Sequence, residues 1–544
     1  MPENKPLIIT NLGGPLTRRR NGDIDSGLAR YETSWGYDPY SKPGNLTWME
    51  QPTSIMTNTG GVIPIIVNSP GAPGTASGNY ISVVDSYSSV FQITVTPTSD
   101  AVSVIGALSG GIGNYAMSAG VVRYGATSER LFVGHGELIA RVDLNGANSS
   151  IITQGVSGFN LSRPRPLVEF LGKIYFGNGN NIGEIDSTNT VVDATRLDPA
   201  LPSNTYVIDL DVTPDGNYLV ITTNDALQGF NGFDGNYINE TQNRSGMTHK
   251  LYWNGIDGSF TAQRKFGGVS AFANISYSDK NYTLGYDLGG TMVLSDTQKI
   301  LSLPRARAPY PNALISIGNM LSFGTPEYDD SDGKLKMSFF QYGQYDEDKP
   351  VGLYRLLNQE ATVRNDIMSV PACLSVSNSI YSPSVIAASE SGATVNRLGG
   401  VGKIYYSTVE AAAQSPLQLL GKLWRFNLNP TGSGSIVAGV YETQTQLFSK
   451  KIEVKEFRLY TEPLVGGNDF TIDLIGSGGS VMAGGSQRFI VGTSSVAVGT
   501  DMVQFNPAMA PTYALGVRIT NASVTGVANW TALKVEIDPA SGGK

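Results

Sequence analysis

From about residue 80 onward, short runs of apolar and β-branched residues alternate with Gly, Asn and Asp turns, and helical spacing is rarely sustained. That pattern predicts an all-β chain. Arg130-Leu-Phe-Val-Gly is followed by Glu137-Leu-Ile-Ala-Arg-Val-Asp-Leu-Asn-Gly, which reads as two strands joined by a Gly-containing turn, with Leu138, Ala140 and Val142 on one face. The form returns about 43 residues later as Lys173-Ile-Tyr-Phe-Gly-Asn-Gly and Ile182-Gly-Glu-Ile-Asp. It returns again from Asp209 to Thr222, where Pro214 fixes one turn dihedral and Asp215 and Gly216 tolerate the bend. Further β-type runs begin at Lys250, Asn281, Asn319, Lys334, Lys403 and Lys422. A four-stranded propeller blade takes roughly 40 to 50 residues, so 80–445 has room for a β-propeller-like domain of about seven blades. Two consecutive β-sandwiches remain open on periodicity alone.

The two ends differ from this body. Lys450-Lys-Ile-Glu-Val-Lys-Glu-Phe-Arg-Leu-Tyr-Thr alternates charged and apolar residues as a one-sided strand does, and similar runs begin at Asp469, Gln487, Tyr513 and Trp530. They predict a C-terminal β-sandwich over 446–544. Residues 1–79 show no sustained period and are read as an extended N-terminal arm with the first strands. The arm carries Arg18-Arg19-Arg20 and the aromatics Tyr31, Trp35, Tyr37, Tyr40 and Trp48. Large rings are costly to leave in water, so the arm is expected to pack on the body or on a neighbouring chain. Interfaces favour Trp, Tyr and Arg, which makes Arg18, Arg19, Arg20, Trp35, Tyr37 and Trp48 the candidate assembly contacts.

Composition narrows the function classes. Charged residues are 15% of the chain and glycine numbers 64, which suits short strands and many tight turns. A net charge of -8 provides no overall pull towards nucleic acid, which is excluded as the main partner. The single cysteine, Cys373, rules out an intramolecular disulfide and fits cytosolic synthesis. The apolar stretch Leu7 to Ile9 is too short for the core of an export signal, and Ala101 to Val122 is broken by Gly110, Gly111, Gly113 and Asn114. A soluble chain without membrane insertion is the expectation.

Candidate chemistry is sparse. His135 and His249 lie more than 100 residues apart and no Gly-x-Ser-x-Gly elbow accompanies them, so they read as turn or surface residues. One Cys and two distant His make no recognisable zinc cluster. Glu184, Asp186, Asp209 and Asp211 are the candidate acids if the chain were a glycoside-hydrolysing or carbohydrate-binding propeller. Asp329-Asp-Ser-Asp-Gly-Lys opens like a Ca²⁺ loop but lacks the later ligands, and with Tyr345-Asp-Glu-Asp-Lys it reads as a solvated turn. Gly110-Gly-Ile-Gly and Gly476-Ser-Gly-Gly are not followed by Lys-Ser/Thr and a helix, and read as loops. Arg163-Pro-Arg165-Pro and Arg305-Ala-Arg307 read as basic rim loops able to meet acidic patches on a neighbour. No catalytic, cofactor-binding or metal residue is assigned.

Ile9-Thr-Asn-Leu-Gly-Gly-Pro-Leu-Thr-Arg, then Pro43-Gly-Asn-Leu-Thr-Trp, then the blade-like middle and the Gly/Ser/Thr-rich end together resemble virion proteins of tailed bacteriophages. The resemblance is to tail nozzle or tail-associated proteins of short-tailed phages that carry a β-propeller. It implies a structural, non-enzymatic virion component without a cofactor, a homo-oligomeric ring bound to other virion proteins, possible host-surface contact, and assembly in the bacterial cytoplasm.

Overall fold

The computed structural model describes strands from Leu7 to Pro539 and the turns between many of them. It leaves out 1–6, 10–30, 39–45, 70–79, 109–116, 226–246, 303–313, 344–351, 361–373, 377–402, 428–438 and 540–544, with shorter connections. No helix occurs among the described residues. The chain divides into two compact units, one of 53–338 and 359–425, the other of 1–52, 339–358 and 426–544.

Among the described residues, seven four-stranded antiparallel sheets follow one another along the chain. The first runs through Ile65–Ser69, Tyr80–Val84, Ser89–Val95 and Asp100–Ala107. The second takes Met117–Tyr124, Glu129–His135, Leu138–Asp143 and Ser149–Ile151, and the third Leu167–Phe170, Lys173–Asn178, Asn181–Ile185 and Val192–Asp193. The fourth takes Thr205–Val212, Leu219–Asp225, Met247–Trp253 and Ala262–Gly267. The fifth takes Val269–Tyr277, Lys280–Asp287, Met292–Ser295 and Lys299–Ser302. The sixth takes Leu314–Ile317, Met320–Asp329, Lys334–Gly343 and Gly352–Glu360. The seventh consists of Leu374–Val376, Lys403–Ala412 and Ser415–Asn427, with Thr53–Asn58 from near the other end of the chain as its outer strand.

The first strand of each sheet lies beside the first strand of the next, and Leu374–Val376 of the seventh lies beside Ile65–Ser69 of the first. Apolar layers fill the spaces between sheets. Leu131 and Val133 share one layer with Ile65 and Val90 of the first sheet, while Phe132 points the other way, into a layer with Ile174 and Phe176 of the third. Strands buried on both faces need apolar residues at consecutive positions, which explains runs such as Leu-Phe-Val and Ile-Tyr-Phe. Tyr175 then enters the layer with Leu219, Ile221 and Trp253 of the fourth sheet. Tyr405 and Leu423 of the seventh sheet pack with Ile66, Ile81 and Val83 of the first.

The other unit contains an eleven-stranded sheet around the 16-residue strand Gln446–Thr461. Its order is Tyr31–Trp35, Gly439–Thr443, Thr512–Asn521, Gln446–Thr461, Asn529–Pro539, Leu46–Trp48 and Tyr37–Asp38. Asp469–Ile475 and Val481–Ile490 extend from Thr512–Asn521, Met502–Phe505 pairs with Gln446–Thr461, and Leu7–Ile9 pairs with Asn529–Pro539. The first four-stranded sheet opens at Ile65, and Gly439–Thr443 already belongs to the large sheet. The segment read as an arm is divided between both units, because its strands pair with partners hundreds of positions away that local periodicity does not register.

Candidate functional site

Tyr37 and Trp48 are fully buried, so neither offers surface to another chain. Trp530 is their hub. Its ring lies 5.4 Å from Tyr37 and 5.3 Å from Trp48, with Phe470 at 5.6 Å, and the Tyr37 hydroxyl donates to the Ile519 carbonyl at 3.4 Å. Burial, and then Tyr441, raise the Tyr37 hydroxyl well above its ordinary range, so it stays a donor. Both were expected as assembly contacts; in this chain the register Trp48↔Tyr37 and Leu46↔Trp530 carries both rings inward. Trp35 lies in a strand paired with Gly439–Thr443, opposite Val440. Arg18, Arg19 and Arg20 lie outside the described residues, as do Cys373, Arg163, Arg305 and Arg307.

Asp209 and Asp211 are two positions apart on the first strand of the fourth sheet, so both side chains leave the same face. They reach the first strand of the fifth. Asp209 Oδ2 accepts from the Asn274 amide at 2.7 Å and Oδ1 from the Leu210 amide at 2.9 Å, while Asp211 Oδ2 accepts from the Ser276 amide. Asn224 continues the seam, its Nδ2 donating to the Ala271 carbonyl at 2.8 Å and its Oδ1 accepting from the Ala271 amide at 3.1 Å. Lys250, 1% exposed, donates from Nζ to the Asn281 carbonyl at 2.5 Å. Desolvation pushes Asp211 up to about 6 and Asp209 well above the ordinary carboxylate range, with the Asp211 charge adding to the Asp209 shift. The spacing was legible in sequence; the amides these acids bind were not.

The other candidate acids are separate from that pair. Glu184 accepts from Lys173 Nζ at 2.5 Å and faces Arg196 Nε at 3.0 Å on the third sheet. Asp186 accepts from the Thr188 hydroxyl, as a turn residue does. His249 Nε2 lies 3.3 Å from Asp225 Oδ1 in the fourth sheet, and His135 ends a strand of the second. Asp215 accepts from the Thr213 hydroxyl at 2.5 Å and the Asn217 amide at 3.1 Å, and Gly216 has a φ of 72°, which completes the expected turn.

Arg165 departs from the rim-loop expectation. It is fully buried, donates to the Gly177 carbonyl at 3.0 Å and lies 4.1 Å over the Phe159 ring. Burial lowers its guanidinium to about 9. A planar cation can stack on a ring in a way that an ammonium cannot, which suits it to this interior position.

Among the described residues, no three His, Cys, Asp or Glu side chains gather as a metal site. No helix among them is long and apolar enough to cross a membrane. The chain matches no protein-family model and no curated protein. Its chemistry is therefore read from the geometry. The paired carboxylates hold backbone amides, the buried lysine holds a carbonyl and the arm's rings fill a core. The first two tie the fourth sheet to the fifth, and the third packs strands of the eleven-stranded sheet together.

Proposed function

We propose that the chain is a structural, partner-binding component of a bacteriophage virion, placed in the tail as a nozzle or tail-associated protein. In this reading the seven four-stranded sheets are the blades of a β-propeller that serves as a rigid platform for neighbouring virion proteins, and the eleven-stranded sheet is a β-sandwich. The observation that carries the propeller is the circuit of first strands, which returns from Leu374–Val376 to Ile65–Ser69. Thr53–Asn58 supports it by completing the seventh sheet from the chain's beginning, so that the last sheet is held by both ends of the repeat.

A scaffold role is supported by how the polar groups are used. The Asp209 and Asp211 carboxylates engage amides of the next sheet, whereas a glycosidase needs one acid to protonate a leaving group and another to meet sugar or water. Their raised proton affinity is the one feature that favours the carbohydrate-active alternative. Mass spectrometry of intact particles tests the proposal: the chain is expected at structural stoichiometry. Its absence from particles, together with glycosidase activity lost in Asp209→Asn or Asp211→Asn, would replace this reading with the alternative.

A further inference from the structure

The outer strand of a sheet presents unpaired amides and carbonyls, and proteins ordinarily guard such edges with charge, proline or shortness. Most outer strands here are guarded. Ser149–Ile151 and Val192–Asp193 are short, Ala262–Gly267 carries Arg264 and Lys265, Lys299–Ser302 begins with Lys299, and Gly352–Glu360 carries Arg355. Thr53–Asn58 has no charge, but its exposed positions are Thr53, Ser54 and Thr57, while Ile55 and Met56 are half-buried.

Asp100–Ala107 is the exception. It is eight residues long, its one charge is the buried Asp100, and Ala101 to Val104 are all exposed. Val104 is 70% and Val102 39% exposed, on one face of the strand. Its inner edge pairs with Ser89–Val95, and among the described residues no strand pairs with its outer edge.

We infer that the outer edge of Asp100–Ala107 binds the same strand of a second copy of this chain, antiparallel and about a two-fold axis, joining two first sheets into one of eight strands. The occupant follows from the charge pattern. Two-fold antiparallel pairing sets a strand against itself, so a charge near the centre meets its like, at a cost that an uncharged strand avoids. Centred on Ser103, the pairing places Val102 of each copy across from Val104 of the other and covers the exposed valines. This goes beyond the virion reading, because it specifies a two-fold contact of the isolated chain.

Sedimentation and native mass of the full chain at micromolar concentrations test it. A dimer is expected, weakened about tenfold or more by Val104→Lys, with Thr57→Lys on the other uncharged outer strand leaving it intact. Both variants should melt as the parent does. In a Cys373→Ser background, Ser103→Cys is expected to give a disulfide-linked dimer on mild oxidation. A monomer at every concentration, or a dimer indifferent to Val104→Lys and unlinked by Ser103→Cys, overturns the inference. Stoichiometric incorporation of Val104→Lys into particles alongside either result leaves the virion reading standing.

Discussion

The Arg425 guanidinium meets the Asp100 carboxylate at 2.7 Å, across 325 positions of sequence. Arg425 belongs to the seventh sheet and Asp100 opens the outer strand of the first, so this ion pair joins the last four-stranded sheet to the first. The Asp100 side chain has no exposed surface. Burial, and then Asp100, push the neighbouring Tyr405 hydroxyl far above its ordinary range. Asn58 donates to Asp85 at 2.9 Å and Ser407 to the Ile63 carbonyl at 2.7 Å, fastening the same two sheets.

Removing one partner of such a pair strands a buried charge. Arg425→Met is expected to destabilise the fold by roughly 3–5 kcal/mol, and Asp100→Asn added to it should recover much of that loss. A double-mutant cycle by denaturant unfolding measures both steps. Additive losses would show that the two side chains do not interact.

Asp211 gives stability a pH dependence whose sign can be worked out. Its folded value of about 6 lies above the ordinary 3.8, so the native state holds the proton more tightly than the unfolded chain. The stabilisation from that proton is complete below pH 3.8 and is lost as the pH rises to about 6. Unfolding experiments across this window should show Asp211→Asn flattening the curve by on the order of 3 kcal/mol at most. A parent-minus-variant difference independent of pH would contradict the assignment.

Gly134 faces the backbone of Arg165, and a Cβ added there would collide with the Arg165 carbonyl and lie 2.6 Å from its Cβ. The obstacle is backbone and cannot swing away. Gly134→Ala should therefore cost roughly 1–3 kcal/mol, visible as a lower melting temperature. Gly172→Ala is the contrasting case: its Cβ meets nothing, but a φ of 72° makes its cost one of backbone strain.

Strand-turn-strand units such as those around Leu131, Ile174 and Leu210 were legible because each hairpin is local and its turn chemistry is explicit. The turn at Pro214 to Gly216 forms as its residues dictate. What the pattern hid was long-range pairing. Thr53–Asn58 reads as a piece of arm until Ser415–Asn427 lies beside it, and Leu46–Trp48 has no visible partner until Trp530 supplies one. Of the aromatic residues at the beginning, Tyr37 and Trp48 are fully buried. Tyr37 and Trp48 found their cover in the chain's own last strands. Asp209 and Asp211 stood out by spacing, but a carboxylate that binds a backbone amide and one that serves catalysis share the same sequence signature.

That difference in cover decides what truncation does. If 1–52 served only to contact neighbours, its removal would leave the unfolding of the chain unchanged. Tyr37 and Trp48 instead close over Trp530, and Leu7–Ile9 and Leu46–Trp48 occupy one edge of Asn529–Pro539. Deleting 1–52 should therefore expose Trp530 and Phe470, increase binding of a hydrophobic dye and abolish one unfolding transition even in the isolated chain. Point variants grade the effect: Trp48→Ala is expected to cost about 3–5 kcal/mol through the cavity it leaves, and Tyr37→Phe about 1 kcal/mol through the lost bond to Ile519. Tryptophan fluorescence separates the two, since Trp48→Ala admits water to Trp530 and shifts its emission to the red, whereas Tyr37→Phe keeps the ring in place and the emission unmoved.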